Sequence, residues 1–432
     1  MVKMKIGIIG GTDGLGKTLI YYFRDEFEIY ISGRNHEKGR KVADELNVNY
    51  IESNEELASI SDILIVAVPI EHTLDVIHEV APYMKSGSVM VDVTSVKEGP
   101  TKVMGEVLPD SVEYIPTHPI FGPRTTHLHD QIIVLTADKK GKWYNKVYNY
   151  LKNKNMQIVE TTPQKHDYMM SIVQVLTHFS FISTASAIEK LQVDISETED
   201  YESPIYNLMI DLIARIVAQN PDLTYNIQTM NPNGDYIRNT FSEAVFELKD
   251  VINNEDKDKF IEITNRSTSH MGDIRDALGR SDKAIESLSA EYTKLSQSLG
   301  EEVGLKHIYT NEIFVGTLES LNNKTATLKR DNEVYKCPVT NINILQPDEL
   351  YQWKLENSSK LTEKISCIFP QNVNTRTIEK TVLNIKNITD INLTDNKSDK
   401  DNVKLTFEVS GFYPEDIENV KELFTGFGGK II

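Results

Sequence analysis

Residues 5–16 read Lys5-Ile6-Gly7-Ile8-Ile9-Gly10-Gly11-Thr12-Asp13-Gly14-Leu15-Gly16. A short β-branched run closes on glycines and opens directly into a helical apolar pattern from Leu15 to Phe23. In that setting, backbone N–H groups and a helix N-terminus can cradle a pyrophosphate, which predicts a dinucleotide-binding β-α-β unit. The fit to G-x-G-x-x-G ending at Gly16 is imperfect, because Asp13 stands at the middle glycine. Gly10, Gly11 and Gly14 then take the close-approach roles, and the whole loop from Gly10 through Thr12, Asp13 and Leu15 to Gly16 is the expected cofactor cradle.

Working outward, the second strand ends in Tyr30-Ile31-Ser32-Gly33-Arg34-Asn35. An NAD enzyme normally places Asp or Glu here for the adenosine ribose hydroxyls. Ser32 can instead donate to a 2′-phosphate and Arg34 can pair with it, so the expected cofactor is NADP before NAD. Further strands of the same texture are read at Ile63 to Val68, Val89 to Val93 and Gln131 to Thr136, separated by helical stretches such as His36 to Leu46. Strands apolar on both faces belong in a covered parallel sheet, so residues 1–162 are expected to form a Rossmann-type, doubly wound α/β domain.

From Pro163 the apolar spacing becomes helical throughout: His166 to Leu191, Ser203 to Ala218, Tyr236 to Val251 and Lys257 to Leu288. Residues 163–298 are therefore expected to form an all-α domain. Residues 299–362 read as a small β-rich connector. Residues 363–432 show the order β-α-β-β-α-β of a ferredoxin-like α+β module, with a charged loop at Asp395 to Asn402.

Composition limits the function. The 432 residues suit about three domains at roughly 150 residues each. A net charge of −18 disfavours nucleic acid and anionic membrane as partners. Cys337 and Cys367 form neither a disulfide framework nor a Cys-x-x-Cys pair, and no metal-ligand set is read. The longest unbroken apolar run, Ile63 to Ile70, is short of the ~18 residues a membrane span requires, and the expected compartment is the cytoplasm.

Two stretches carry chemistry. Val89 to Val93 runs into Thr94-Ser95-Val96-Lys97, which puts a hydroxyl and an ammonium at a strand's carboxyl end, where open α/β sheets place their clefts. Pro116-Thr117-His118-Pro119-Ile120-Phe121-Gly122-Pro123 holds a histidine between prolines, on what reads as a stiff loop suited to a positioned base.

With Val66-Ala67-Val68-Pro69-Ile70, Asp92 to Lys97, His118 to Pro123, His166-Asp167, Gln174 to Phe179, Ser203 to Tyr206 and Ala214 to Pro221, the chain resembles the prephenate dehydrogenase family over residues 4 to 290. The resemblance implies that prephenate is oxidatively decarboxylated to 4-hydroxyphenylpyruvate in tyrosine biosynthesis. It makes His118 the catalytic histidine, with Ser95 orienting it, and places Val68 and Pro69 against the cofactor. Arg215 would bind a substrate carboxylate, with Lys97 and His178 as further cations or donors. Because Arg215 lies among Leu212, Ile213, Ile216 and Val217, it is expected to be buried beside an anion: the substrate, or Asp211 as an internal partner. The resemblance further implies a homodimer built on the helical domain. Asn207, and Tyr225 one place late, depart from the family pattern and leave arogenate open as the substrate. The tail resembles the small-molecule-binding modules of the ACT kind, implying tyrosine as an effector, although the Asp-Arg-Pro-Gly turn is missing.

Three rivals remain. Gly10-x-x-x-Gly14-x-Gly16 and Tyr148-x-x-x-Lys152 suit a short-chain dehydrogenase, but the long helical region is foreign to that class. A β-hydroxyacid dehydrogenase needs a lysine inside the first long helix, where this chain offers His166 and His178. A non-catalytic NADP-binding regulator would leave His118 and Arg215 inert.

Overall fold

A computed structural model describes residues 3–322, 324–398 and 401–432. The chain forms two compact units, Met1–Ile274 and Arg275–Ile432. The division falls inside the helical region expected to run to residue 298, because the helix Ile274–Gln297 buries Leu295 in the core of the five-stranded module that follows it.

The first unit carries an eight-stranded sheet: β1 (Lys5–Ile9), β2 (Glu28–Ser32), β3 (Asn49–Tyr50), β4 (Ile63–Val66), β5 (Val89–Asp92), β6 (Glu113–Pro119), β7 (Ile132–Leu135) and β8 (Gln157–Glu160). Their spatial order is β3-β2-β1-β4-β5-β6-β7-β8. The chain reverses its direction of travel across the sheet between β1 and β4, the place where such folds bind ligands. Alternate residues feed two cores. Ile6, Ile8, Ile65 and Val91 pack on one face, and Ile9, Leu64, Val66 and Met90 pack on the other. β1 to β6 run parallel, but β7 is antiparallel to β6. The connection from residue 120 to 131 contains no helix, and a parallel return needs a crossover of about a dozen residues or more, usually helical.

His118 lies on β6 and not on a loop. Pro116 and Pro119 are tolerated there because the carbonyls carry the pairing: Pro116 O accepts the Thr136 N–H at 3.0 Å. Asp92 is in register with Pro116, so Asp92 and His118 share the same face at the carboxyl edge of the sheet.

The helical part of this unit begins with Pro163–Met170, a π-helical turn Ser171–Leu176 and Thr177–Lys190 in one continuous run. Pro204–Val217, Pro221–Met230, Gly234–Asn253 and Lys257–Thr268 follow. The stretch Lys257 to Leu288, of helical spacing throughout, is two helices with a break after Thr268, where Gly272 takes φ +71°. Pro163–Lys190 is long and apolar enough to cross a membrane by length and composition, with mean hydropathy 1.3, which unbroken apolar runs did not reveal. It also holds the buried side chains of His166, Asp167 and Ser171. Its neighbours expose large apolar groups, among them Ile205, Leu212 and Val217.

The second unit contains two antiparallel sheets. One comprises β9 (Glu302–His307), β10 (Ile313–Leu321), β11 (Thr325–Arg330), β12 (Glu333–Pro338) and β13 (Ile342–Ile344), in the order β12-β11-β10-β9-β13. The other comprises β14 (Leu361–Pro370), β15 (Ile388–Ser398), β16 (Asn402–Gly411) and β17 (Lys430–Ile431), in the order β15-β16-β14-β17. Helices Thr375–Val382 and Pro414–Gly426 cover its inner face through Ile378, Val382, Val420 and Phe424. Most of the stretch expected as a charged loop is hairpin instead; Asp399 and Lys400 lie outside the described residues.

Candidate active site

The phosphate loop is shaped by close contacts. Gly10 has φ +84°, and a Cβ there would stand 2.5 Å from Ala67 O, immediately before Val68 and Pro69. A Cβ on Gly16 would stand 2.2 Å from Gly10 O. Gly10 and Gly11 donate their N–H groups to Ser32 O at 3.0 and 3.2 Å, which ties the loop to the end of β2. Thr12 packs on Gly33, and Leu15 supports the helix Gly14–Phe23 from its first turn. Asp13 caps that helix by accepting the Gly14 N–H at 2.8 Å, and its carboxylate meets Lys38 Nζ at 2.5 Å. The Lys38 hydrogen bond, with help from Gly14, holds the Asp13 carboxyl below its usual range. The backbone cradle suits a dinucleotide pyrophosphate.

At the end of β2 the two residues expected to read a 2′-phosphate part company. Ser32 is fully buried and donates to Asn54 Oδ1 at 2.7 Å, so its hydroxyl is a fold contact and not a phosphate donor. Arg34 is exposed, with Nη1 3.3 Å from His72 Nε2.

At the carboxyl ends of β5 and β6, the buried His118 has Nδ1 2.9 Å from His166 Nε2. His166 Nδ1 lies 2.7 Å from Asp167 Oδ1. Asp167 also accepts the backbone N–H groups of Lys97 at 2.7 Å and Glu98 at 2.9 Å. Burial, then the neighbouring His166 and Lys97, holds His118 well below the usual imidazole range, so it is neutral near pH 7. Its Nε2 makes no hydrogen bond to any described residue. Ser95 is half-buried nearby in sequence, but the engaged nitrogen of His118 is held by His166 and not by Ser95.

Lys97 is not a substrate cation. Its ammonium is wholly buried, paired with Asp92 Oδ2 and donating to Thr117 O at 2.6 Å. Burial lowers its pKa against the opposing pull of Asp92 and Asp167. Thr94 adds its hydroxyl to Asp92 Oδ2 at 2.5 Å. A buried ammonium needs a buried counterion, and Asp92, one strand-end away, supplies it. The pair joins the ends of β5 and β6 beneath His118.

His178 is buried with Nδ1 unpartnered, and burial lowers its pKa. Arg215 contradicts its expected burial: it is exposed on Pro204–Val217, and neither Asp211 nor any other described carboxylate pairs with it. The apolar face around it is largely open in the single chain, with Leu212 and Val217 more than 40% exposed, so the surroundings that implied burial do not close. Tyr148 of the rival Tyr-x-x-x-Lys pair stacks on Tyr144 with ring centroids 6.1 Å apart, and Lys152 is exposed on the same helix.

Sequence reasoning gave no role to Asp92, His166 or Asp167. The signal was present as a His-Asp pair opening an apolar helix and an Asp closing an apolar strand.

A dinucleotide cradle beside a buried, neutral histidine, with a helical region completing the unit, defines a nicotinamide-dependent dehydrogenase class. Residues 22–160 match the prephenate dehydrogenase nucleotide-binding domain, and residues 162–266 match the prephenate dehydrogenase dimerization domain. The "Probable arogenate/prephenate dehydrogenase" of Methanocaldococcus jannaschii is 37% identical over 99% of this chain and 98% of its own length. The Haemophilus influenzae "T-protein" is 27% identical over 62% of this chain and 67% of its own. The crystal structure of Aquifex aeolicus prephenate dehydrogenase in complex with hydroxyphenyl propionate and NAD+ superposes with a TM-score of 0.51 at 18% identity. It covers 62% of this chain and 98% of that one, and shows the shared fold. The chain belongs to the prephenate dehydrogenase family and is an oxidoreductase of the prephenate/arogenate type.

Proposed function

We propose that this chain oxidises and decarboxylates prephenate to 4-hydroxyphenylpyruvate with NADP as the preferred cofactor, in the cytoplasm and as a homodimer. The observation that carries the reading is His118: buried, neutral, held through Nδ1 and with Nε2 uncommitted. A bound nicotinamide supplies the hydride acceptor. His118 Nε2 accepts the proton of the ring hydroxyl as hydride leaves the same carbon. Loss of the ring carboxylate as carbon dioxide supplies the electron pair that completes the aromatic ring, and the proton returns to the phenol oxygen, so none is released overall. Arg215, exposed and without a carboxylate partner, takes a substrate carboxylate, and His178 offers a further donor or acceptor. Arogenate is the alternative substrate, which Asn207 and Tyr225 leave open. The open apolar helical faces fit a second copy of the chain.

The test is a matrix of prephenate and arogenate against NADP and NAD, with wild type and Arg34→Ala. Arg34→Ala should raise the KM for NADP about tenfold and leave that for NAD within about twofold, a loss of roughly 1.4 kcal/mol suited to one charge-assisted contact. Equal effects on both nucleotides would remove the 2′-phosphate role. Absence of turnover in all four combinations would favour the regulator reading.

The β-α-β-β-α-β order and strand order of the last module support an ACT-like regulatory role with tyrosine as effector. Tyrosine added to the full chain should lower initial velocity at sub-saturating prephenate. A rate unchanged at millimolar tyrosine argues against it.

A further inference from the structure

We propose that His166 and Asp167 are positioning residues that decide which nitrogen of His118 is free to take the proton. This rests on the reading of His118 as the base. The assignment follows from donor and acceptor supply. Asp167 is an acceptor-only carboxylate that already receives the N–H groups of Lys97 and Glu98, so the 2.7 Å contact from His166 Nδ1 must be a donated N–H. With His166 neutral, its one N–H is spent on Asp167 and Nε2 is left as an acceptor. The 2.9 Å contact then requires His118 to donate from Nδ1, and its lone pair is fixed on Nε2. Both rings and the carboxylate are buried, at 2%, 3% and 0% exposure, so water cannot readily substitute for a missing partner.

The order of protons along this row is polar. Reversing the donor at Asp167 reverses every step and places the proton on His118 Nε2, where it blocks the base. Asp167→Asn does this when its Nδ2 takes the place of Oδ1, where it donates to His166 Nδ1 and gives up the Lys97 N–H, while the remaining oxygen keeps the Glu98 N–H that opens the helix Glu98–Val107. The row is tied to both parts of the unit, because Asp167 O also accepts Asn231 Nδ2 at 2.8 Å.

Long-range 1H–15N spectra of the full chain labelled at histidine, with His118→Asn and His166→Gln for assignment, read the tautomers directly. Wild type should show both rings as Nδ1–H, and Asp167→Asn should convert both to Nε2–H. The kcat of Asp167→Asn should fall about a thousandfold or more with KM values within about threefold, as expected of a base locked in the wrong tautomer. If Asp167→Asn does not fold, His166→Gln, whose amide oxygen can accept from His118 Nδ1, should be at least about tenfold more active than His166→Leu. His118 found as Nε2–H in wild type overturns the proposal, as does loss of activity in Asp167→Asn with tautomers unchanged, or equal activity of the two His166 variants. Full activity of His118→Asn would instead overturn the assignment of the base and leave the tautomer order standing.

Discussion

Replacing His118 with asparagine should lower kcat at least a hundredfold while the protein stays folded and binds dinucleotide with near wild-type affinity. A positioned base is typically worth about 10²–10⁴ in rate, and asparagine keeps a polar group of similar reach without a titrating nitrogen. The phosphate loop and Arg34 are separate from the His118 side chain, so nucleotide titration should be unaffected. Initial rates with prephenate and a fluorescence titration with NADPH check the two halves. A variant within tenfold of wild type would show that chemistry does not pass through this ring. The same histidine sets the acid limb. Only its unprotonated form accepts the proton, and burial with His166 and Lys97 depresses its pKa. Activity in kcat/KM should therefore persist as pH falls through the ordinary imidazole value near 6.5 and decline only below it.

Lys97→Met should be the most destabilising single change at the site, at about 3–5 kcal/mol, because it strands the Asp92 carboxylate in the interior. The cost comes from the uncompensated charge and not from lost attraction alone. Adding Asp92→Asn removes that charge while leaving an acceptor for Thr94, so the double variant should recover most of the loss. Thermal melts of the three variants decide this: a Lys97→Met melt within about 1 °C of wild type would exclude the buried pair as a structural tie, since 1 kcal/mol shifts a domain of this size by roughly 2–4 °C.

What was legible in the sequence was local. The glycine turn after β1, the helical spacing beyond Pro163 and the β-α-β-β-α-β order of the tail are each written within a few tens of residues, and each appears in the fold. His118 is legible from its proline-bounded setting, but that setting reads as a loop, because its strand is defined by pairing with β5 and β7 and not by its own pattern. Ser32, at the end of β2, and Lys97, just past the end of β5, read as site groups because of those positions; Asn54 and Asp92 claim them instead. Arg215 failed in the opposite direction. An apolar helix face implies burial, but which surface buries it is not encoded in that helix alone.

The π turn at Ser171–Leu176 has a geometric result for the two histidines it separates. Twelve steps of an unbroken α-helix, at about 100° each, would leave residues 166 and 178 some 120° apart around the axis. Accommodating one extra residue takes back about 100°, so the two rings come to within roughly 20° of a common meridian. Both are buried. The turn acts as a phase shifter: straightening it into regular α-helix at unchanged length would swing His178 about a third of the way around the rod, away from the side that His166 shares with His118, whereas a one-residue deletion that removes the turn would leave the two histidines about 20° apart.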